Sequence, residues 1–278
     1  MPSDVGAQVT RALAEDIGSG DVTAALIPAD TQARATLITR EDMILCGTAW
    51  FDEVFRQVDA SVQVEWRGRD GDSMRADSTL CDISGPARAV LTGERCALNF
   101  LQTLSGTATT TRQYAAAVAG TACRILDTRK TLPGLRLAQK YAVRCGGGVN
   151  HRLGLYDRVL IKENHIMAAG SIAAAIRDAR NHHAGIDVEV EVESLQEFRL
   201  ALAEAPDYIL LDEFSLEDMR AAVAERSAAG SRARLEASGG VSLEALGKIA
   251  ATGVDYISIG ALTKHLHAID LSLRFQPA

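Results

Sequence analysis

Apolar and polar positions change rhythm part-way along this chain. Val5, Val9 and Leu13 recur at i, i+4 and i+8, behind Ser3 or Asp4 as a cap and ahead of Gly18-Ser19-Gly20, which predicts a helix over 3–16. Ala33, Ala35 and Leu37 alternate with Arg34, Thr36 and Ile38, predicting a strand over 33–46. Val62, Val64 and Trp66 alternate with Gln63 and Glu65 in the same way, and the stretch from Trp50 to Val58 between the two reads as helix. Helix and strand mixed without a repeat suggest an α+β domain. A long helix over about 93–118 follows, with Ala97, Leu98, Phe100, Leu101 and Leu104 on its apolar side and Arg95, Asn99, Gln102 and Gly106 on the other.

From residue 123 the pattern becomes an alternation of strand and helix. Short apolar runs at 123–126, 158–161, 186–192, 208–211, 233–237 and 254–259 predict strands, and alanine-rich stretches at 168–182, 194–204, 215–229 and 242–251 predict helices. Such alternation implies parallel strands with right-handed crossovers. A polar or glycine residue closes every strand: Asp127-Thr128-Arg129-Lys130, Lys162, Glu191 with Glu193, Asp212, Ser238-Gly239-Gly240 and Gly260. A doubly wound sheet gathers its ligand groups at one switch point, whereas a barrel draws on all its strand ends. The pattern favours a barrel, incomplete because six strands fall short of the usual eight. Ile269, Leu271, Leu273 and Phe275 alternate again and predict a strand that returns to the N-terminal sheet.

Glu189, Glu191 and Glu193 share one face of their strand and Val188, Val190 and Val192 the other. Valines packed on helices would aim three carboxylates into the barrel interior, where Lys130, Lys162 and Arg152 are the expected partners. An edge strand with a solvated acidic face is the alternative.

Composition narrows the function classes. The 278 residues are 47% apolar and 23% charged, an ordinary globular balance, with no apolar run near the roughly 20 residues of a membrane helix and no secretory leader. A cytoplasmic protein is expected. Cys46, Cys81, Cys96, Cys123 and Cys145 are widely spread and contain no CxxC, so they read as reduced thiols, most of them core-filling. The net charge of −7 gives no basic footprint for nucleic acid. Between Arg124 and Asn164, however, nine basic residues face three acidic ones, a local +6 that suits a small anionic ligand. Ser238-Gly239-Gly240 and Gly260-Ala261, both following strands, suggest that part of this anion is a phosphomonoester. Gly146-Gly147-Gly148 reads as a helix stop and sharp turn, with His151 and Arg152 just beyond it. Lys162 at a strand end is also where a Schiff-base lysine would sit.

The run from Asp127 to Ile166, DTRKTLPGLRLAQKYAVRCGGGVNHRLGLYDRVLIKENHI, resembles the signature of the quinolinate phosphoribosyltransferases. ALAEDIGSGDVT, GERCALNFLQTLSG, VEVEVESLQE, ILLDEFS, LEASGGVSLE and YISIGALTKHLHAIDLS resemble the same family in the same order, over nearly the whole chain. The resemblance implies an α/β fold made of an N-terminal α/β sandwich domain over 1–105, joined by a C-terminal strand over 266–278, and an incomplete, open α/β TIM-like barrel over 106–265. It implies transfer of phosphoribosyl from 5-phosphoribosyl-1-diphosphate to quinolinate with Mg2+, giving nicotinate mononucleotide, CO2 and diphosphate in NAD biosynthesis. It also implies homodimers or larger assemblies in which a neighbour completes each site, with no nucleic acid or membrane partner.

Carried over by position, Arg129, His151, Arg152 and Lys162 are expected to bind the quinolinate carboxylates, and Arg95 to reach across the dimer interface. Lys130 with Lys162 matches the diphosphate site, and Glu191 and Asp212 the pair holding the ribose hydroxyls and, through water and substrate, Mg2+. Lys130, Lys162, Glu191 and Asp212 are thus the expected catalytic residues. Ser238, Gly239, Gly240, Gly260 and Ala261 match the 5′-phosphate cradle, and Thr128 and Ile259 complete the expected substrate contacts. Glu213 departs from the pattern, since many relatives carry asparagine there. The alternatives are a molybdate-operon paralogue of the same fold with a different substrate, a Schiff-base aldolase built on Lys162, and a non-catalytic anion-binding module.

Overall fold

The computed structural model describes residues 1–276; Pro277 and Ala278, which the predicted C-terminal strand included, lie outside the described residues. The chain begins with α1 (Val5–Ile17), β1 (Gln32–Thr39), β2 (Met43–Ile44), α2 (Thr48–Val58), β3 (Gln63–Trp66), β4 (Ser73–Met74), β5 (Thr79–Pro86) and α3 (Ala87–Ala117). It continues through β6 (Arg124–Leu126), α4 (Arg136–Cys145), β7 (Val159–Ile161), α5 (Glu163–Ala169), α6 (Ile172–His182), β8 (Val188–Val192), α7 (Leu195–Ala203) and β9 (Tyr208–Asp212). The last elements are α8 (Leu216–Ala228), β10 (Arg234–Ser238), α9 (Leu246–Ala250), β11 (Tyr256–Ser258), α10 (Ala261–Lys264) and β12 (Leu271–Gln276).

These elements form two compact units, one of residues 1–112, 131–147 and those from Ala261 onward, the other of 113–130 and 148–260. The first unit is an α/β sandwich. Its sheet has the order β12-β1-β5-β3, antiparallel throughout. As the period-two pattern predicts, β12 returns to this sheet and pairs with β1 from Thr39↔Leu271 to Arg34↔Gln276. Trp50, Phe51, Val54 and Phe55 of α2 are buried with Leu37, Leu80 and Ile83 of the sheet and Val90, Ala97, Leu101 and Leu104 of α3. The Trp50 indole N–H donates to Gln8 Oε1 at 2.7 Å, which accounts for a buried glutamine in this core.

Two predicted boundaries move in this unit, and one long strand went unpredicted. The strand predicted over 33–46 breaks after Thr39, whose hydroxyl turns back to the Glu41 carbonyl at 2.7 Å; Met43–Ile44 then pairs with β4 instead. Strand β5 was not predicted, although Cys81 and Ile83 alternate with Asp82 and Ser84 and are buried where those are not. Helix α3 starts at Ala87, directly after Pro86, whose fixed φ suits a helix start.

Gly106, inside α3, shows why small residues matter there. A Cβ on it would lie 2.0 Å from the His267 carbonyl oxygen. Glycine to alanine within a helix ordinarily stabilises by about 1 kcal/mol. Here Gly106→Ala is expected to destabilise by about 2–3 kcal/mol, the usual cost of overpacking, as a lowered Tm. An unchanged or raised Tm would show that the 267–268 backbone yields freely.

The second unit is an incomplete α/β barrel. Its strands are parallel in the order β6-β11-β10-β9-β8-β7, and among the described residues the edge strands β6 and β7 are not paired with one another, so the sheet stays open. Val188, Val190 and Val192 are fully buried, as are Ile209 and Leu211. Helices α6, α7 and α8 each begin at a serine, Ser171, Ser194 and Ser215, whose hydroxyl accepts the N–H of Ala174 at 3.1 Å, Glu197 at 3.3 Å and Asp218 at 3.1 Å. The helix predicted over 168–182 starts later, as α6, because Gly170 takes φ +84° and Ser171 caps anew; α5 before it went unpredicted. The stretch predicted as helix over 242–251 is a 3-10 turn at Leu243–Ala245 followed by the single-turn α9.

Candidate functional site

The C-terminal strand ends of the second unit surround a cleft of about 360 Å3, within the range of small-ligand sites. Thr128, Arg129, Lys130, His151, Arg152, Lys162, Glu191 and Ser238 line it, joined by Leu160, Leu210, Glu236 and Ser258. Eight residues singled out from the sequence are thus brought together by strand ends β6, β7, β8 and β10 and by the loop after Gly148.

Each is positioned by identifiable contacts. Asp127, fully buried at the end of β6, accepts the His151 N–H on Oδ1 at 2.9 Å and the Asn150 amide on Oδ2 at 2.5 Å, which fixes the loop carrying His151 and Arg152. Asp157 closes the next turn by accepting the N–H groups of Leu153 at 2.7 Å and Gly154 at 2.9 Å. Burial and the neighbouring Arg129 guanidinium push Arg152 below the ordinary arginine range, though a guanidinium remains charged. Upstream of this loop, Gly147 supplies the positive φ of the turn at +94°, while Gly146 is helical and instead needs its lack of a side chain, since a Cβ would lie 2.5 Å from Thr111 Cβ.

Lys162, capping α5, forms an ion pair with Glu191 across β7 and β8. Its ammonium therefore meets a carboxylate, rather than the apolar surroundings that activate a Schiff-base lysine. The predicted three-carboxylate face holds for Glu189 and Glu191 but not for Glu193. The strand ends at Val192, and exposed Glu193 turns away, its N–H bonded to Glu197 Oε2 at 2.8 Å. At Glu189 the close partners are instead His151 and Arg158: its Oε2 lies 3.0 Å from His151 Nε2 and 3.4 Å from Arg158 Nη1.

Glu236 escaped the sequence reading. It is fully buried, with Oε2 3.5 Å from His151 Nε2, and it completes a buried group with Glu189 and His151. The His151 Nδ1 accepts the Arg152 N–H at 2.7 Å, so the proton on the ring belongs on Nε2, facing Glu189. Burial alone would raise the Glu189 carboxyl, but its bonds to His151 and the Arg158 charge bring it below the usual range. Burial and the adjacent Glu189 charge push Glu236 well above it. One carboxylate and one carboxylic acid therefore lie beneath the cleft. The signal was available: Glu236 interrupts the apolar run of β10, just as Glu189 interrupts β8.

The remaining predicted residues do not line the cleft. Asp212 ends β9 and is paired in register with Ser238. Gly260 lies beside Lys130, since a Cβ on it would be 3.1 Å from Lys130 Cδ, and Ile259 is buried with its N–H bonded to the Leu126 carbonyl at 2.9 Å. Gly239 and Gly240 turn the chain after β10 with φ of +96° and +43°. Ala261 starts α10, and Arg95 is exposed on α3; both belong to the first unit. Glu213 adopts φ +53°, unfavourable for its side chain, which lies so close to Gly239 that a Cβ there would be 2.6 Å from Glu213 Cδ.

Comparison with known proteins bears on this arrangement. The family model described as quinolinate phosphoribosyl transferase, C-terminal domain, matches residues 107–274, and the N-terminal domain model matches 21–105. A nicotinate-nucleotide pyrophosphorylase [carboxylating] of Mycobacterium leprae is 44% identical over 271 residues, covering 95% of each chain. A probable nicotinate-nucleotide pyrophosphorylase [carboxylating] of Bacillus subtilis is 41% identical over 261 residues, covering 93% of this chain and 89% of that one. The solved nicotinate-nucleotide pyrophosphorylase of Francisella tularensis superposes with a TM-score of 0.95 at 48% identity, covering 99% of this chain and 98% of that one.

Proposed function

The chain belongs to the quinolinate phosphoribosyltransferase family, and from that premise we infer that it joins quinolinate to 5-phosphoribosyl-1-diphosphate, releasing diphosphate and CO2 and leaving nicotinate mononucleotide. One observation carries the reading to particular residues: Arg129, Lys130, Arg152 and Lys162 line one cleft together with Glu191. Quinolinate brings two carboxylates and each phosphoryl group about one to two negative charges, so a cleft of this sign fits both substrates. Nothing in the comparisons favours the molybdate-operon paralogue.

In this reading the guanidinium forks of Arg129 and Arg152 hold the planar carboxylates, each able to bind two oxygens at once. His151, whose Nε2 faces Glu189, fixes the loop carrying Arg152. Lys130 and Lys162 hold the diphosphate as it leaves, and Glu191 and Asp212 favour the ribose as it gains oxocarbenium character. The Ser238–Gly240 turn and Gly260-Ala261 take the 5′-phosphate. The pyridine nitrogen then attacks ribose C1, so the protein needs no nucleophile of its own. The resulting pyridinium accepts the electron pair as CO2 leaves from the carboxylate beside the nitrogen. Positioning and fixed charge account for the catalysis.

Glu191 and Asp212 offer hard oxygen donors on adjacent strands, a set that suits Mg2+, which takes one or two carboxylates together with water and substrate phosphate. When bound, Mg2+ neutralises charge on the departing diphosphate. We also propose a homodimer in which Arg95, exposed on α3, reaches the neighbouring subunit's site. Among the described residues no helix is long and apolar enough to cross a membrane.

Steady-state assay with 5-phosphoribosyl-1-diphosphate, Mg2+ and either quinolinate or nicotinate tests the reading. Product from quinolinate alone is expected. Product from nicotinate alone would mean that the cleft recognises one carboxylate, and no product from either would remove the assignment.

Glu213 gives a second expected result. Its carboxylate lies against the turn assigned to the 5′-phosphate, and its left-handed φ suits asparagine better. Glu213→Asn is expected to raise stability by about 1 kcal/mol and to lower KM for 5-phosphoribosyl-1-diphosphate, leaving KM for quinolinate unchanged. Equal shifts in both KM values would place the carboxylate away from the phosphate.

A further inference from the structure

Outside the cleft, the first unit holds a second cluster of reactive side chains. Cys46 Sγ, Cys145 Sγ and a carboxylate oxygen of Asp70 all lie within 4.8 Å of one another. Cys46 is fully buried in the turn before α2, and Cys145 is half-buried at the end of α4. The Tyr141 hydroxyl donates to Asp70 Oδ2 at 2.9 Å. The backbone at both thiols is clamped. Ser105 Oγ accepts the Cys46 N–H and donates to its carbonyl, each at 3.0 Å, and Arg112 Nη2 holds the Cys145 carbonyl at 3.3 Å.

We propose that Cys145 and Cys46 are a site of reversible disulfide formation, in which Cys145 reacts with a peroxide and Cys46 resolves the product. The two sulfurs approach by side-chain rotation while their backbones stay held. Their roles follow from their surroundings. The Cys46 thiol and the Tyr141 hydroxyl, with help from the Arg144 charge, bring Cys145 below the usual thiol range despite burial and Asp70. Burial pushes Cys46 up, so it keeps its proton until the second step. Burial pushes Cys96 up to about 11 and Cys123 up to about 12.

In the first step the Cys145 thiolate attacks hydrogen peroxide. An S–O bond forms, the O–O bond breaks and hydroxide leaves, which takes up a proton; sulfur loses two electrons to the peroxide. In the second step Cys46 attacks the Cys145 sulfenic sulfur, forming the S–S bond and breaking S–O, and its proton leaves with the oxygen as water. Two thiols and one peroxide thus become one disulfide and two waters.

A metal ion is the competing occupant of two cysteines and an aspartate. Asp70, however, is already engaged on both oxygens: Oδ1 accepts the N–H groups of Gly47 and Thr48 at 3.2 Å, and Oδ2 accepts the Gly47 N–H at 3.2 Å and the Tyr141 hydroxyl. A carboxylate oxygen so occupied is a poor ligand.

The test uses the full-length protein, reduced and then exposed to hydrogen peroxide, with remaining thiols alkylated before digestion and mass spectrometry. A Cys46–Cys145 linked peptide, reversed by dithiothreitol, is expected, with Cys145 consumed at least about tenfold faster than Cys96 or Cys123 because the thiolate is the reacting form. Cys46→Ser is expected to stop at a Cys145 sulfenic acid that dimedone captures. Consumption of Cys145 no faster than of Cys96, or its over-oxidation in the unsubstituted protein without the cross-link, would overturn the proposal. So would stoichiometric zinc retained after purification that shields both thiols. The readout is covalent and stands apart from the quinolinate assay.

Discussion

Lys162→Ala is expected to lower kcat/KM by about 10²–10³, a loss of roughly 2.7–4 kcal/mol of transition-state stabilisation, with most of it in kcat. The reasoning starts from the ion pair with Glu191. The Lys162 side chain is 46% exposed, so its ammonium faces the open cleft as well as its partner. In the proposed reaction, negative charge grows on the leaving diphosphate, and a preplaced ammonium stabilises that charge more than it stabilises the intact substrate. Interactions realised only in the transition state appear in kcat. The same exposure limits the structural cost, because a solvent-reachable pair contributes about 0–1 kcal/mol to stability. Tm should therefore move by no more than about 3 °C. Lys162→Arg should recover only part of the rate, since its fork replaces a compact point charge. Kinetics within threefold of the parent would take Lys162 out of the leaving-group site, and a collapsed Tm would make its role structural.

The contrast between Lys162 and Glu236 shows what the chain discloses before it is folded. Residues at strand C-terminal ends were legible because a parallel barrel sends those ends to one rim, so Thr128, Arg129, Lys130, Lys162, Glu191 and Ser238 followed from strand placement. His151 and Arg152 sit on a loop that no periodicity describes; the sequence marked them after the glycine turn, and resemblance supplied their substrate-binding roles. Asp127, the residue that holds this loop, read as one more polar strand end. Helix boundaries failed where a local turn overrode an alanine-rich pattern, as at Gly170 and Ser171. Glu193 failed because parity was carried one residue past the strand end at Val192. Strand β5 was legible but overlooked, since buried Cys81 and Ile83 alternate with half-buried Asp82 and Ser84, which pair with Thr36 and Arg34. The nearness of Cys46 and Cys145 belongs to tertiary packing, and no spacing of ninety-odd residues encodes it.

Glu236→Gln is expected to stabilise the protein at neutral and alkaline pH and to flatten its pH dependence. Glu236 is fully buried beside Glu189, and two carboxylates so placed cannot both be charged without a large cost. Glu189 has the His151 and Arg158 donors, so Glu236 keeps the proton. A carboxyl whose folded pKa is raised binds its proton in the native state after the unfolded chain has released it. Native binding then exceeds unfolded binding, and stability falls as pH rises from the ordinary carboxylate range up to the pH at which folded Glu236 ionises. The slope contributed by one such group is at most about 1.4 kcal/mol per pH unit. Glutamine has nearly the same shape as the protonated acid and does not titrate, so the variant lacks this slope. Its advantage in Tm over the parent should widen from pH 5 to pH 8. Glu189→Gln removes the charged member instead, leaving Arg158 and the His151 Nε2–H without their carboxylate, and is expected to cost about 3–5 kcal/mol, the usual penalty for breaking a buried pair. Parallel melting curves for Glu236→Gln and the parent across this pH range would mean that Glu236 is ionised in the fold, and that the shared proton beneath the cleft does not exist.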